Sequence, residues 1–121
     1  MQSSKGGSMN KIDYLNAYEL MIIGMIEKDT NKLKESMSKD SYLIHMTGKA
    51  ESREEYIKDI LDGTLNYYKY KILSFNEKEV DINLFAQVYG GSKSWWRLHM
   101  DTIYCLEEEK IKIKECKVRM G

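Results

Sequence analysis

The chain has 121 residues, a length that fits one domain with its own hydrophobic core. Its 19 Lys and Arg residues balance 19 Asp and Glu residues, so the formal net charge is zero. Such a surface has little field to attract nucleic acid or an anionic membrane, and neither is expected as a partner. No apolar run approaches the roughly 20 residues of a membrane span, and no signal peptide is visible, which predicts a cytoplasmic protein.

The first residues differ in composition from the rest of the chain. Residues 1–8 are polar and rich in glycine and serine, and a second methionine, Met9, follows them. We interpret residues 1–8 as an appended leader and residues 9–121 as a single domain.

Helical patterns dominate the first half of the chain. Apolar residues recur at helical spacing over residues 10–28 and form one stripe. This stripe consists of Leu15, Tyr18, Met21, Ile22, Met25 and Ile26. Asp29 or Thr30 can cap a short second helix. Ser52 and Glu55 form a capping box that predicts the start of a third helix, which ends before a glycine.

The second half has the alternation of β-strands. A short strand is predicted over residues 41–47, before the third helix. Four more strands are predicted near residues 67–72, 82–88, 94–106 and 111–120. The order of elements indicates an α+β fold, with three helices in the N-terminal half gathered on one face of a mainly antiparallel sheet.

Two segments carry a family resemblance. They are DSYLIHMTG at residues 40–48 and SWWRLHMDTIY at residues 94–104, which precede the third helix and a lysine-rich last strand. With the element order, they resemble the nuclear-transport-factor-2-like superfamily, which includes SnoaL-like proteins and ketosteroid isomerases. The sequence is most similar to the small bacterial members of that group. The resemblance implies a cone-shaped curved sheet that wraps around the helices and leaves a cavity at its open end.

The resemblance also implies roles for individual residues. The general-base position of the isomerases falls on His45, and their enolate-stabilising acid falls on Asp101. Their helix-one tyrosine falls on Met21, which cannot donate a hydrogen bond, and Tyr18 lies one turn earlier. Steroid isomerisation is therefore not carried over to this chain.

Two interpretations of His45 stay open. A neutral imidazole in a cavity could accept or relay a proton near pH 7. Alternatively, His45 is a core histidine whose ring nitrogens bond to nearby hydroxyls or backbone groups.

The strand at 94–106 has two faces, and either could lie inside the cone. One carries Trp95, Arg97, His99, Asp101 and Ile103, and the other carries Trp96, Leu98, Met100, Thr102 and Tyr104. Hydrophobicity alone sends the second set inward and leaves a solvated row of charges outside. The resemblance favours the reverse, with Asp101 inside facing His45 and the second set outside as a dimer surface. We adopt the reverse arrangement as our prediction.

Two functions are compatible with these patterns. The first is a pocket for a small, largely apolar molecule, with acid–base chemistry by His45 and Asp101. Its predicted ligand-binding residues are Tyr18, Met21, Tyr56, Trp95, Arg97 and His99. The alternative is a non-enzymatic homodimeric interaction module with a filled core. No nucleotide-binding or hydrolase motif is present, and neither a cofactor nor a metal is expected.

Overall fold

The computed structural model describes residues 11–121, so the predicted leader at residues 1–8 lies outside the described residues. Three helices and six strands follow in the order α1 (Lys11–Glu27), α2 (Thr30–Ser36), β1 (Met37–Ile44), β2 (Ala50–Ser52), α3 (Arg53–Leu61), β3 (Leu65–Asn76), β4 (Glu79–Val88), β5 (Ser94–Glu107) and β6 (Lys110–Met120). None of these helices within residues 11–121 is long and apolar enough to cross a membrane.

Helices α1 and α2 form a tight pair. The predicted stripe of α1 is confirmed, since Tyr18, Met21 and Ile22 are fully buried. Asp29 caps α2 by accepting a hydrogen bond from the backbone of Lys32 at 3.1 Å. Gly24 permits the close approach, because a Cβ atom there would lie 3.0 Å from Cγ of Leu33.

Helix α3 has the predicted capping box. The Ser52 hydroxyl accepts from the Glu55 backbone at 3.2 Å, and the Glu55 carboxylate accepts from the Ser52 backbone at 2.9 Å. Gly63 follows the helix with a φ of 85°, in the left-handed region that favours glycine.

All six strands belong to one curved sheet, in the order β2-β1-β6-β5-β4-β3. Strands β3 to β6 are joined as antiparallel hairpins, whereas β1 pairs with β6 in parallel. Strand β2 was not predicted. It runs antiparallel to β1 and places Glu51 opposite Leu43. The α+β cone with a mainly antiparallel sheet is confirmed.

The orientation of β5 differs from the prediction. Trp96, Leu98 and Met100 face the helices on the inner face of the sheet, together with Ile82 and Leu84 of β4. The side chains at positions 95, 97, 99, 101 and 103 lie on the outer face, away from the helices. The physical reason is the hydrophobic effect, because burying three large apolar side chains is favourable, whereas burying an Arg, a His and an Asp is costly.

A pair of variants tests this orientation. We expect Met100→Ala to lower the free energy of unfolding by about 2–5 kcal/mol, because Met100 is 2% exposed and its truncation leaves a cavity. Ile103→Ala, three positions along β5, should cost less than about 1 kcal/mol, because Ile103 is 52% exposed. Urea unfolding measures both. Equal losses, or a larger loss for Ile103→Ala, would contradict the orientation.

Candidate functional site

A cavity of about 100 Å³ lies between helices α1 and α3 and the inner face of the sheet. Its walls are mainly apolar. They are formed by Met21, Met25, Leu43, Leu65, Leu84, Ala86, Val88, Leu98, Met100 and Val118. The exposed residues Met46 and Tyr89 also line it, so the cavity opens to solvent at that end. This volume is about two thirds of the roughly 150 Å³ of an engineered apolar cavity that binds benzene, so a six-membered ring fits when part of it lies in the open end.

His45 lies at the open end of this cavity, directly after the last residue of β1. A tight turn follows it. The backbone of Gly48 donates to the His45 carbonyl at 2.8 Å, and the His45 backbone donates to the Lys49 carbonyl at 2.8 Å. The turn brings β2 back along β1, so Glu51 comes beside His45 on the same face of the hairpin.

The His45 imidazole is held by a buried carboxylate. Its Nε2 atom lies 2.5 Å from Oε1 of Glu51, a residue that is 3% exposed. Burial raises the pKa of Glu51, and the neighbouring Asp59 carboxyl of α3 raises it further, whereas the bond to His45 opposes the rise. Glu51 thus fixes the orientation of the ring through Nε2 and leaves Nδ1 as the nitrogen that can meet a ligand.

Two tyrosines add a hydroxyl pair to the cavity wall. Tyr56 of α3 donates to the hydroxyl of Tyr67 of β3 at 3.1 Å, and both residues line the cavity. Burial raises the pKa of each hydroxyl, so both stay protonated. The Tyr56 ring also lies 6.1 Å from the His45 ring, which places the pair near the open end.

Trp96 has a buried polar atom near the cavity. Its side chain lines the cavity from β5, and its Nε1 atom is buried with no hydrogen-bond partner among the described residues. An indole N–H can only donate, so this group lacks an acceptor.

Three of the predicted site residues lie where they can meet a ligand. His45, Met21 and Tyr56 line the cavity. Tyr18 is fully buried beside it, and its hydroxyl donates to Sδ of Met100 at 3.1 Å. Tyr18 is thus part of the core behind the cavity wall, and its hydroxyl is already occupied by a protein partner.

The other predicted site residues lie on the outer face, so their placement in the cavity is wrong. Side chains alternate along a strand, so the inward position of Trp96, Leu98 and Met100 places their neighbours on the outer face. These neighbours are Trp95, Arg97, His99 and Asp101. Asp101 therefore cannot face His45 across the cavity. Trp96, which the prediction placed on the outer surface, lines the cavity in place of Trp95.

On the outer face, His99 is the centre of an ionic cluster. Its Nδ1 lies 3.0 Å from Asp81, and its Nε2 lies 3.2 Å from Asp101 and 3.4 Å from Glu79. The hydrogen bond to Asp81 raises the pKa of His99. Asp81 and Glu79 pair with His99 across the two strands, and Asp101 pairs with it along β5.

The sequence prediction missed Glu51, because it placed no strand between β1 and α3. A signal was nevertheless present. Gly48 permits a reversal of the chain, and a reversal there brings residues 49–52 back along β1. Alternation then puts Glu51 on the face of His45.

Comparisons of sequence identify no relative, since neither a family model nor a curated protein matches the chain. Comparisons of structure find three informative likenesses. An NTF2-like protein from Cytophaga hutchinsonii has 16% identity and a TM-score of 0.69, with 93% of this chain and 100% of that chain covered. A putative Ca/calmodulin-dependent kinase II association domain from Exiguobacterium sibiricum has 14% identity and a TM-score of 0.70, with 100% of this chain and 97% of that chain covered.

The third likeness is to an enzyme. LinA type 2, a hexachlorocyclohexane dehydrochlorinase, has 11% identity and a TM-score of 0.67, with 91% of this chain and 84% of that chain covered. At identities of 16% or less, these likenesses show the fold alone. They confirm the nuclear-transport-factor-2-like fold that the sequence resemblance implied.

The buried carboxyl of Glu51 leads to a pH prediction. We expect Glu51→Gln to gain stability relative to the wild type as the pH rises from about 4 to 6. The folded chain holds the pKa of Glu51 above its unfolded value, so the wild type loses stability as the pH rises through the folded pKa. Glutamine does not titrate and avoids that loss. Urea unfolding at several pH values measures the difference.

Glu54→Gln is the matched control with the opposite sign. The hydrogen bond from Arg53 lowers the pKa of Glu54, so its contribution to stability is present above the unfolded pKa and is lost as the pH falls. This variant should therefore lose stability relative to the wild type as the pH rises from about 3 to 5, the range in which the unfolded carboxyl ionises. The same trend in both variants would contradict the assignment.

Proposed function

We propose that this protein, which has the nuclear-transport-factor-2-like cone fold, binds a small and largely apolar molecule in its cavity and uses His45 to accept or donate a proton. The observation that carries the proposal is the pairing of His45 with the buried Glu51 at the open end of an apolar cavity. Members of this fold often bind small ligands or act as enzymes, and LinA is an enzyme with a similar fold.

The chemistry of the His45–Glu51 pair supports the role of His45 as a general base. When the Nε2–H group donates a hydrogen bond to the Glu51 carboxylate, Nδ1 is the unprotonated nitrogen and has the free lone pair. The carboxylate also stabilises the imidazolium that forms when Nδ1 takes a proton. Glu51 is thus the carboxyl group proposed to work with His45, in a part that differs from the enolate-stabilising acid that the sequence prediction placed at Asp101.

The composition of the cavity wall favours the binding of a neutral ligand. Apart from the titratable His45, no residue among the described lining set carries a formal charge, so a charged ligand would lose its hydration without a counter-ion. An uncharged ligand of about one ring gains from the apolar surface of Met21, Leu84 and Leu98. Part of a larger ligand could extend past the exposed Met46 and Tyr89 at the open end.

A screen with matched histidine variants tests this proposal. Neutral ring compounds are screened by thermal shift, where a ligand at about 100 times its dissociation constant stabilises the fold by about 2.7 kcal/mol. For each ligand that binds, NMR in D₂O follows the exchange of its acidic C–H protons. We expect exchange to slow by a factor of about 10²–10⁴ in His45→Gln.

His99→Gln is the control, because His99 is the only other histidine of the chain and lies on the outer face. It should leave both binding and exchange unchanged. If His45→Gln exchanges the ligand protons as fast as the wild type does, His45 is not the base. If no neutral compound binds, the cavity is not a ligand site.

A second proposal concerns assembly, and the outer face of the sheet favours it. Trp95 is 55% exposed, and its ring lies 5.2 Å from Phe85, which in turn lies 5.9 Å from Tyr68. Three adjacent aromatic rings on a sheet are a surface that a second copy of the chain could cover as a homodimer. This patch replaces the predicted one, because Trp96 and Met100 face inward. The similar fold of a putative association domain is consistent with assembly through this fold.

The oligomeric state tests the homodimer. We expect the wild type to sediment as a dimer at micromolar concentration and Trp95→Glu to sediment as a monomer, because a buried unpaired carboxylate opposes association. Leu61→Glu is the control, since Leu61 is 52% exposed at the end of α3 and lies outside the aromatic patch. A monomeric wild type, or a dimer that survives Trp95→Glu, would contradict the proposal.

A further inference from the structure

A histidine and three carboxylates meet on the outer face of the sheet, on the side away from the cavity. His99 is at the centre of this group, and its side chain is only 13% exposed. Strand register brings the group together, because Glu79 lies directly opposite Asp101 and Asp81 lies directly opposite His99 in the ladder of β4 and β5. Side chains on paired strands are held more precisely than side chains on loops.

The distances around Nε2 of His99 match those between the ligand atoms of a metal ion. Nε2 lies 3.4 Å from Oε1 of Glu79 and 3.2 Å from Oδ1 of Asp101. Two ligand atoms of a tetrahedral zinc ion are about 3.3–3.5 Å apart, because their bonds to the metal are about 2.0–2.2 Å long. The Glu79 and Asp101 oxygens lie within 4.8 Å of each other, and the Glu79 side chain, which is 54% exposed, can rotate to close that side.

Two of these three side chains are oriented by a further group. Nδ1 of His99 lies 3.0 Å from Oδ1 of Asp81, and Oδ2 of Asp101 lies 3.4 Å from Nε of Arg119. A histidine that binds a metal commonly donates its other N–H to a carboxylate, which fixes the orientation of the ring. These contacts leave Nε2 of His99 and Oδ1 of Asp101 facing each other, each with a lone pair that a metal can use.

The charges of the group favour a dication. The carboxylates of Glu79, Asp81 and Asp101 make their ion-pair contacts with one imidazole and with the Arg119 guanidinium. Even when His99 is protonated, the negative charges of these five groups exceed the positive charges by one. A divalent ion that replaces the Nε2 proton of His99 adds one positive charge and brings the group to neutrality, while the proton leaves to solvent.

We propose that Glu79, His99 and Asp101 bind a divalent transition-metal ion of the zinc class on the outer face of the sheet. The site is separate from the cavity, so it does not rest on the proposed ligand function. One imidazole nitrogen with two carboxylate oxygens is a ligand set that Zn²⁺ accepts, whereas Mg²⁺ and Ca²⁺ bind oxygen ligands. No metal was expected from the sequence, because Glu79 lies on another strand and comes beside His99 only through the register of β4 and β5.

A titration with Zn²⁺ tests the site. The full chain is treated with a chelator, freed of the chelator and titrated with Zn²⁺ in a calorimeter, and we expect one ion to bind per chain. In long-range ¹H–¹⁵N spectra, the Nε2 signal of His99 should move on saturation, whereas the signals of His45 should stay in place. An excess of Mg²⁺ should not displace the Zn²⁺, because Mg²⁺ does not use the imidazole nitrogen.

Variants of the three carboxylates and of His99 locate the ion. His99→Gln removes the nitrogen ligand and should abolish saturable Zn²⁺ binding. Glu79→Gln should weaken the binding at least tenfold, and because Glu79 is 54% exposed this variant keeps the fold. Asp81→Asn should weaken it by a factor of about 10–100 and shift the Nδ1 signal of the zinc-bound ring, because the ring then meets an amide in place of a carboxylate.

Two controls remove the other side chains that could bind zinc. His45→Gln removes the second histidine of the chain, and Cys105→Ser removes the thiol that is only partly buried. Both should bind Zn²⁺ as the wild type does. The proposal is overturned if the wild type shows no saturable Zn²⁺ binding, if Mg²⁺ displaces the ion, if binding survives both His99→Gln and Glu79→Gln, or if either control loses it.

Discussion

The apolar inner faces of β4 and β5 are the constraint on which the rest of the structure depends. Leu84 of β4 pairs with Trp96 of β5, and Ile82 pairs with Leu98, so large side chains point toward α1 from both strands. Burial of these side chains sets which face of each strand is inside. It therefore also places the ionic cluster around His99 on the outer face, where water and cross-strand partners solvate the charges.

The same packing creates the cavity and makes its polar groups significant. Ala86 is the small residue among the inner side chains of β4, and flexible methionines from α1 and β5 complete the wall. In this apolar setting a carboxylate such as Glu51 is costly to bury, and its bond to His45 compensates for part of that cost. Such a pair at the open end of a cavity is an arrangement that suits proton transfer.

Local sequence signals were sufficient for the three helices and for five of the six strands. The capping box of α3 and the stripe of α1 are determined by neighbouring residues, so they could be predicted without the fold. The inner face of β5 was also readable, because its alternation of apolar and charged residues indicates which side is buried. The family pattern pointed the other way at Asp101, and the hydrophobic pattern was the better guide.

The candidate site depended on contacts that the local pattern does not contain. Glu51 reaches His45 through a three-residue strand, which is too short to give a periodic signal. The hydrogen bond between Tyr56 and Tyr67 joins α3 to β3, and it depends on how the sheet curves around the helices. His45 could be named from the sequence, whereas its partner and its role depended on this packing.

The tautomer of His45 tests the central claim most directly. Long-range ¹H–¹⁵N correlation spectra of the imidazole rings distinguish a proton on Nε2 from a proton on Nδ1, and His99→Gln assigns the two histidines. The account predicts that neutral His45 carries its proton on Nε2, facing Glu51, with a bare Nδ1 toward the cavity. A neutral His45 with its proton on Nδ1, or with both tautomers equally populated, would contradict it.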